Sequence, residues 1–136
     1  MTTFVDTNIL LCMSNPNEEF HQWAIDEFIK CKQEGPTVIC DIVYSEFSVG
    51  MKNKSDVDTA IGAFSVDRLP YTDDALFNAG KVFQIYRHTH KGQKTNVLPD
   101  FMIGAIASFH GIPLMTLNKK DYTKYFPDLK IICPAK

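Results

Sequence analysis

"TFVDTNILL", residues 3–11, sets a carboxylate between two apolar segments. Phe4-Val5 runs directly into Asp6, and Ile9-Leu10-Leu11 follows after two polar residues. A surface turn would carry Gly or Pro here and fewer Leu. Phe4-Val5 therefore reads as a short buried strand, with Asp6 at its end. Two roles are open to Asp6: a helix cap, or one corner of a site.

The rest of the chain supplies the frame for that strand. Asn15-Pro16 predicts a helix start, with Asn15 as N-cap, Pro16 at the first position and Glu18-Glu19 in the first turn. Phe20, Trp23, Ala24, Phe28 and Cys31 continue it at helical spacing until Gly35-Pro36. Thr37 to Cys40 is a second apolar strand, and Asp41 is placed to cap a helix over 42–51. Ser55 with Asp58 opens another helix. Val66 to Leu69 reads as an edge strand closed by Pro70. Thr72-Asp73-Asp74 caps a long helix reaching Arg87 or His90, and the polar loop "HKGQKTNVL" follows. Pro99-Asp100 opens an apolar helix ending at Gly111. Ile112 to Thr116, a short helix over 119–125 and Lys130 to Cys133 complete the pattern. Strands alternating with helices, without hairpin turns, predict an α/β fold of three layers, a central and mostly parallel sheet with helices on both faces.

Composition narrows the classes. At 136 residues and 45% hydrophobic content, the chain suits a single domain over 1–136 with a core that needs no staples. Cys12, Cys31, Cys40 and Cys133 form no CxxC pair and lie at no close ligand spacing to a histidine, which argues against structural zinc and for small buried hydrophobes. No apolar run approaches the roughly 20 residues needed to span a bilayer, so the expectation is a cytoplasmic protein with no membrane contact. A net charge of −2 argues against a generic, charge-driven nucleic-acid binder. It leaves room for an enzyme whose carboxylates hold divalent cations.

Four polar positions sit in apolar settings. On a helix, Glu46 has Ile42, Val43, Val49 and Gly50 as its neighbours three and four residues away. A carboxylate on such a face must be protonated, paired or bound to a cation, unless it reaches out to solvent. Asp100 opens a helix apolar nearly all round, through Phe101, Met102, Ile103, Ala105, Ile106 and Phe109; capping alone would also explain an Asp there. Asp6 and the pair Asn118/Asp121 fall just past buried strands, at the sheet edge where open α/β folds bind ligands. Carboxylates gathered there require cations among them or raised pKa values. Oxygen donors without His or Cys suit Mg²⁺ or Mn²⁺ better than zinc.

"VDTNILL", "YSEF", "LPDFMIGAIA" and "LMTLNKKDYTKYF", in this order across the whole chain, resemble a PIN domain, and more narrowly the VapC-type toxins of toxin–antitoxin pairs. The resemblance implies a metal-dependent endoribonuclease that hydrolyses RNA phosphodiester bonds with a metal-activated water. It further implies Mg²⁺ or Mn²⁺ as cofactor, a cognate antitoxin that inhibits, a homodimer, and an RNA substrate for which tRNA is one candidate. Asp6, Glu46 and Asp100 would be the acidic catalytic ligands, joined by Asn118 and Asp121. Asn118 stands where the family often has a first carboxylate, so one tightly held metal is the expectation. Thr7, Asn8, Ser45 and Thr116 would orient the carboxylates and waters.

RNA approaching an acidic centre needs a basic rim. Arg87, His88, His90, Lys91 and Lys94 precede Asp100, and Lys119 and Lys120 follow the last inner strand. Read functionally, Arg87, Lys91, Lys94, Lys119 and Lys120 contact phosphates; read blandly, they are solvated charges at helix ends. Two rival folds fare poorly. A haloacid-dehalogenase-type phosphatase needs D-x-D, whereas Asn8 stands two residues after Asp6, and no receiver-type phosphoacceptor is evident. A PIN fold that binds RNA without cutting it is the stronger rival, because of Asn118. On this reading Asp6 is a metal ligand, and the cap role passes to Thr7 or Asn8.

Overall fold

The computed structural model describes residues 1–90 and 98–135. Its centre is a five-stranded sheet in which every pairing is parallel, in the order β3-β2-β1-β4-β5. β1 (Thr3–Val5) lies in the middle, with Phe4 opposite Val38 of β2 (Thr37–Ile39) on one side and opposite Leu114 of β4 (Leu114–Met115) on the other. β1, β2 and β4 are buried throughout, as expected for parallel strands covered by helices on both faces. The outer strands β3 (Asp67–Arg68) and β5 (Ile131–Ile132) are exposed or half-buried, which agrees with the edge position that Pro70 foretells.

From β1 the chain runs outward through β2 to β3, then crosses back to place β4 and β5 on the far side. The direction of winding therefore reverses between β1 and β4, which creates a crevice beyond their carboxyl ends. Asp6 and Thr116 are the residues that follow these two strands. Both remain on the ladder: the Asp6 amide donates to the Met115 carbonyl at 3.0 Å, and the Thr116 amide to that of Ile132 at 3.0 Å.

Seven helices surround the sheet among the described residues: α1 (Thr7–Ser14), α2 (His21–Glu34), α3 (Asp41–Ser48), α4 (Lys54–Phe64), α5 (Asp73–His90), α6 (Leu98–Phe109) and α7 (Lys120–Thr123). Most begin within a residue or two of the predicted start; the first does not. Asn15-Pro16 opens no helix. Asn15 is the C-cap of α1, and its side chain accepts from the Asn17 amide at 3.0 Å, closing a turn. α2 begins five residues later, at His21, with Phe20 as a cap that offers no side-chain bond. Asn followed by Pro favours a turn as much as a helix start, and here the turn wins because α1 has just ended. Asn53, rather than Ser55, caps α4 by accepting from the Asp56 amide at 2.9 Å. Thr72 caps α5 as foreseen, accepting from Ala75 at 3.1 Å.

α6 ends in a Schellman motif. The Ile112 amide reaches the Ala107 carbonyl (2.9 Å), the Gly111 amide reaches that of Ser108 (3.1 Å), and Gly111 takes φ 65°. α6 packs along α5 and also against α3 and α7, while α1 packs against α2 and α3. Beneath α5, α6 and α7 an aromatic cluster forms: Phe101 meets Phe83, Tyr86, Tyr125 and Phe126 with ring centroids 5.2–6.4 Å apart. Phe28 is core and Phe20, Trp23, Phe64 and Phe83 pack against it, but Phe77 is 67% exposed on α5. No described helix is long and apolar enough to cross a membrane.

Candidate active site

Asp6 does two jobs. Its backbone is extended (φ −74°, ψ 157°) and its Oδ1 accepts from the Thr7 amide at 2.7 Å, so Asp6 itself is the N-cap of α1. The expectation that Thr7 or Asn8 would cap that helix is corrected here. A single residue, Asp6, separates β1 from α1, so no space remains for a cap further on. The other oxygen, Oδ2, accepts from Thr116 Oγ1 at 2.7 Å, from Tyr122 Oη at 2.9 Å and more loosely from Asn8 Nδ2 at 3.4 Å.

These bonds belong to one network at the crevice. Thr116 Oγ1 donates to Asp6 while accepting from Asn8 Nδ2 (3.2 Å) and from the Asn118 amide (3.1 Å). Asn8 Oδ1 in turn accepts from the Leu117 amide at 3.1 Å. The start of α1 and the end of β4 are thereby tied together. Thr7 extends the network to α3, donating from Oγ1 to Glu46 Oε1 at 2.6 Å. Every hydroxyl in it has a carboxylate to serve.

Electrostatically the centre is crowded. Burial pushes the Asp6 carboxyl above its ordinary range; the donors Thr116, Tyr122 and Thr7 pull the other way, and the charge of Glu46 adds to the rise. Asp100, in the first turn of α6, is pushed up to about 7, first by burial and then by the charges of Asp121, Asp6 and Glu46. The Tyr122 phenol is driven up by burial and by the charges of Asp6 and Asp100, so it stays protonated and able to donate. A cavity of about 570 Å³ opens over this group, lined by Asp6, Thr7, Asn8, Leu11, Glu46, Val49, Asp100 and Asn118.

Glu46 reaches this cavity by a route that its sequence neighbours disguise. Val43 is fully buried, but Val49 is 86% exposed and Gly50 is exposed; both form cavity wall rather than core. Asp121 is exposed and lines a neighbouring cavity of about 690 Å³ together with Lys119 and Lys120, while its charge is felt at Asp100. Asn118 borders both cavities. Ser45 is exposed and lines neither of the two cavities. Arg87 and His88 are exposed near the end of α5 and line neither cavity. Lys91 and Lys94 lie outside the described residues, as does the side chain of His90. Tyr122 is the site residue that sequence reasoning missed. The available signal was a hydroxylated aromatic directly after Asp121.

Among the described residues, no three His, Cys, Asp or Glu side chains close tightly enough to hold a metal ion as they stand. The chemistry of the donors nevertheless fits a hard cation. Asp6, Glu46, Asp100 and Asn118 present only oxygen donors and one amide around a single cavity. Burial, and after it the charges of Asp121, Asp6 and Glu46, push the Asp100 carboxyl up to about 7, and a divalent cation among these groups would relieve the like-charge part of that cost.

Known proteins share this architecture. No curated protein matches the chain in sequence. Among solved structures it is similar to VapBC2 from Rickettsia felis bound to a DNA fragment from its promoter (TM-score 0.75, 18% identity, covering 99% of this chain and 100% of that one). It is also similar to VapBC-1 from nontypeable Haemophilus influenzae (TM-score 0.70, 20% identity, 98% of each chain). A third similar structure is VapC20 from Mycobacterium tuberculosis, a sarcin-ricin loop cleaving toxin (TM-score 0.62, 15% identity, 96% of this chain and 99% of that one). At these identities the likeness speaks to the fold alone. The sequence pattern of the PIN domain matches residues 3–126, nearly the whole chain, and with the parallel sheet and the acidic crevice already described it shows that this protein belongs to the PIN domain family.

Proposed function

We propose that this protein is a divalent-metal-dependent endoribonuclease, the VapC-like toxin of a toxin–antitoxin pair. One observation carries the reading: Asp6, Glu46 and Asp100, from three separate helices' starts and faces, line one cavity at the switch point of a parallel sheet. PIN family membership supports nuclease chemistry. Similarity to VapC20, a toxin that cleaves the sarcin-ricin loop, supports RNA as the substrate. Similarity to the VapBC complexes of R. felis and H. influenzae supports an antitoxin partner.

Asp6, Asp100 and Glu46 would hold Mg²⁺ or Mn²⁺, with Asn118 and Asp121 beside them. When bound, such a cation neutralises phosphoryl charge and lowers the pKa of an attacking water. The protein's own groups do the positioning. Thr116 and Tyr122 fix Oδ2 of Asp6, the Thr7 amide fixes Oδ1, and the Thr7 hydroxyl fixes one oxygen of Glu46, leaving the other for a ligand or water. Asn118 adds an amide without charge at the cavity mouth, next to Lys119 and Lys120, which we assign to RNA phosphates along with the more distant Arg87. Exposed Leu76 and Phe77 on α5 supply apolar area for a second copy or the antitoxin. The protein would act in the cytoplasm, where RNA is met.

Asp6→Asn and Asp100→Asn are each expected to lower RNA cleavage at least about 10²-fold, as loss of a metal-anchoring charge does, while circular dichroism stays native. Cleavage by the wild type should require Mg²⁺ or Mn²⁺ and stop in EDTA. Undiminished cutting by either purified variant would overturn the assignment. Asn118 favours a second reading, an RNA-binding module that does not cut; RNA binding without metal-dependent cleavage would select it.

A further inference from the structure

Lys119, Lys120 and Asp121, already given roles above, share a cavity of about 690 Å³ beside the acidic crevice whose remaining walls the reading above does not use. Its walls include Phe20, Lys119, Lys120, Asp121 and Cys133, and it meets the acidic cavity at Asn118. Its size falls within the ordinary range for small-molecule sites. Two lysines and one aspartate line it, so its formal charge is positive while the neighbouring cavity is acidic. Among the described residues neither Lys119 nor Lys120 enters an ion pair. Phe20 is half-buried and contributes aromatic surface to the wall, the kind of surface that single-stranded bases stack on. Asn118 separates the cavities without adding charge, so a phosphodiester backbone can pass over it. An Asp there would repel the strand at that step.

Resting on the nuclease reading, we propose that this second cavity is a nucleotide-binding subsite: it takes the nucleotide adjoining the bond cut at the acidic centre, its phosphate on Lys119 and Lys120 and its base toward Phe20. The strand then runs from the acidic cavity, across Asn118, into the cationic one. An unpaired nucleotide is required at that step, because a base held in a duplex could not enter.

Cys133 provides a reporter within the wall. It is half-exposed, whereas Cys12, Cys31 and Cys40 are buried. The test measures alkylation of the intact protein by N-ethylmaleimide, read by mass, with and without a fluorescent random-sequence RNA octamer in Ca²⁺ buffer, and anisotropy in the same samples. At RNA near ten times its Kd, Cys133 alkylation should slow about tenfold, in proportion to occupancy. The Lys119→Ala/Lys120→Ala variant should flatten the dependence of log K on log salt by about 1.4, two single-strand phosphate contacts. RNA that binds and is cleaved in Mg²⁺ while Cys133 reacts at an unchanged rate overturns the subsite and leaves the nuclease reading standing. An unchanged salt slope in the double variant overturns it equally. RNA neither bound nor cleaved removes both.

Discussion

Asp6 shows how one side chain can serve two purposes. One oxygen accepts the first amide of α1, and the other gathers the hydroxyls of Thr116 and Tyr122 at the crevice; a carboxylate can do both. Tyr122 supports the arrangement by donating to Oδ2 from a fully enclosed position. Tyr122→Phe keeps the ring and removes that donor. It should cost about 1–2 kcal/mol in stability by denaturant titration. Because a donor favours the ionised carboxylate, its loss raises the Asp6 pKa further, and the acid limb of the pH–rate profile should move to higher pH. A limb left in place would separate Tyr122 from the site's chemistry. Asp100 predicts a pH effect on folding of the metal-free protein. Its folded pKa of about 7 lies above the ordinary 3.8, so the folded state binds the proton more tightly. That contribution is fully present below about pH 4 and is lost as pH rises through 7. Between pH 8 and 6 the melting temperature of the wild type should therefore rise relative to that of Asp100→Asn. Equal pH dependence in both proteins would contradict the shift.

Among the elements, α6 is the most constrained. It carries Asp100 in its first turn and buries Phe101, Ile103, Gly104, Ala105, Ile106 and Ala107. A Cβ built on Gly104 would collide with the Phe126 ring. Gly104→Ala should thus displace Phe126 from the aromatic cluster and cost about 1–3 kcal/mol, measured by thermal melting. A variant as stable as the wild type would mean that the ring yields freely. Strands and most helices were legible because periodicity, Pro and Gly are local signals: Thr37–Ile39, Thr72 ahead of α5, and Gly111 after α6 all appear where their residue types predict. The entry into α2 was not legible. Asn15-Pro16 carries the same residue types whether it starts a helix or closes a turn, and the helix preceding it decides which. The burial of Glu46's neighbours was misread for a related reason. Spacing places Val49 beside Glu46, but only the packing of α3 determines that Val49 faces a cavity.

On the scale of the molecule, three carboxylates line one crevice, and on the proposed reading a cation bound there would stabilise the folded protein. Mg²⁺ or Mn²⁺ at ten times its Kd should add about 1.4 kcal/mol to stability, a rise of a few degrees in melting temperature. The rise should vanish in Asp6→Asn; persistence there would place the ion elsewhere. What the sequence by itself determined is the set of elements, the parallel α/β class and the identity of Asp6, Glu46 and Asp100 as carboxylates out of keeping with their surroundings. Each of these follows from side-chain chemistry within a window of a few residues. Only the tertiary structure decided that β1 and β4 adjoin, so that Thr116 and Tyr122, more than a hundred residues away, close on Asp6. It also decided that Asn118 borders two cavities, one lined by carboxylates and one by Lys119 and Lys120, while Ser45 lines neither. Strand order and cavity walls depend on contacts between distant segments, and no local pattern encodes which segments meet.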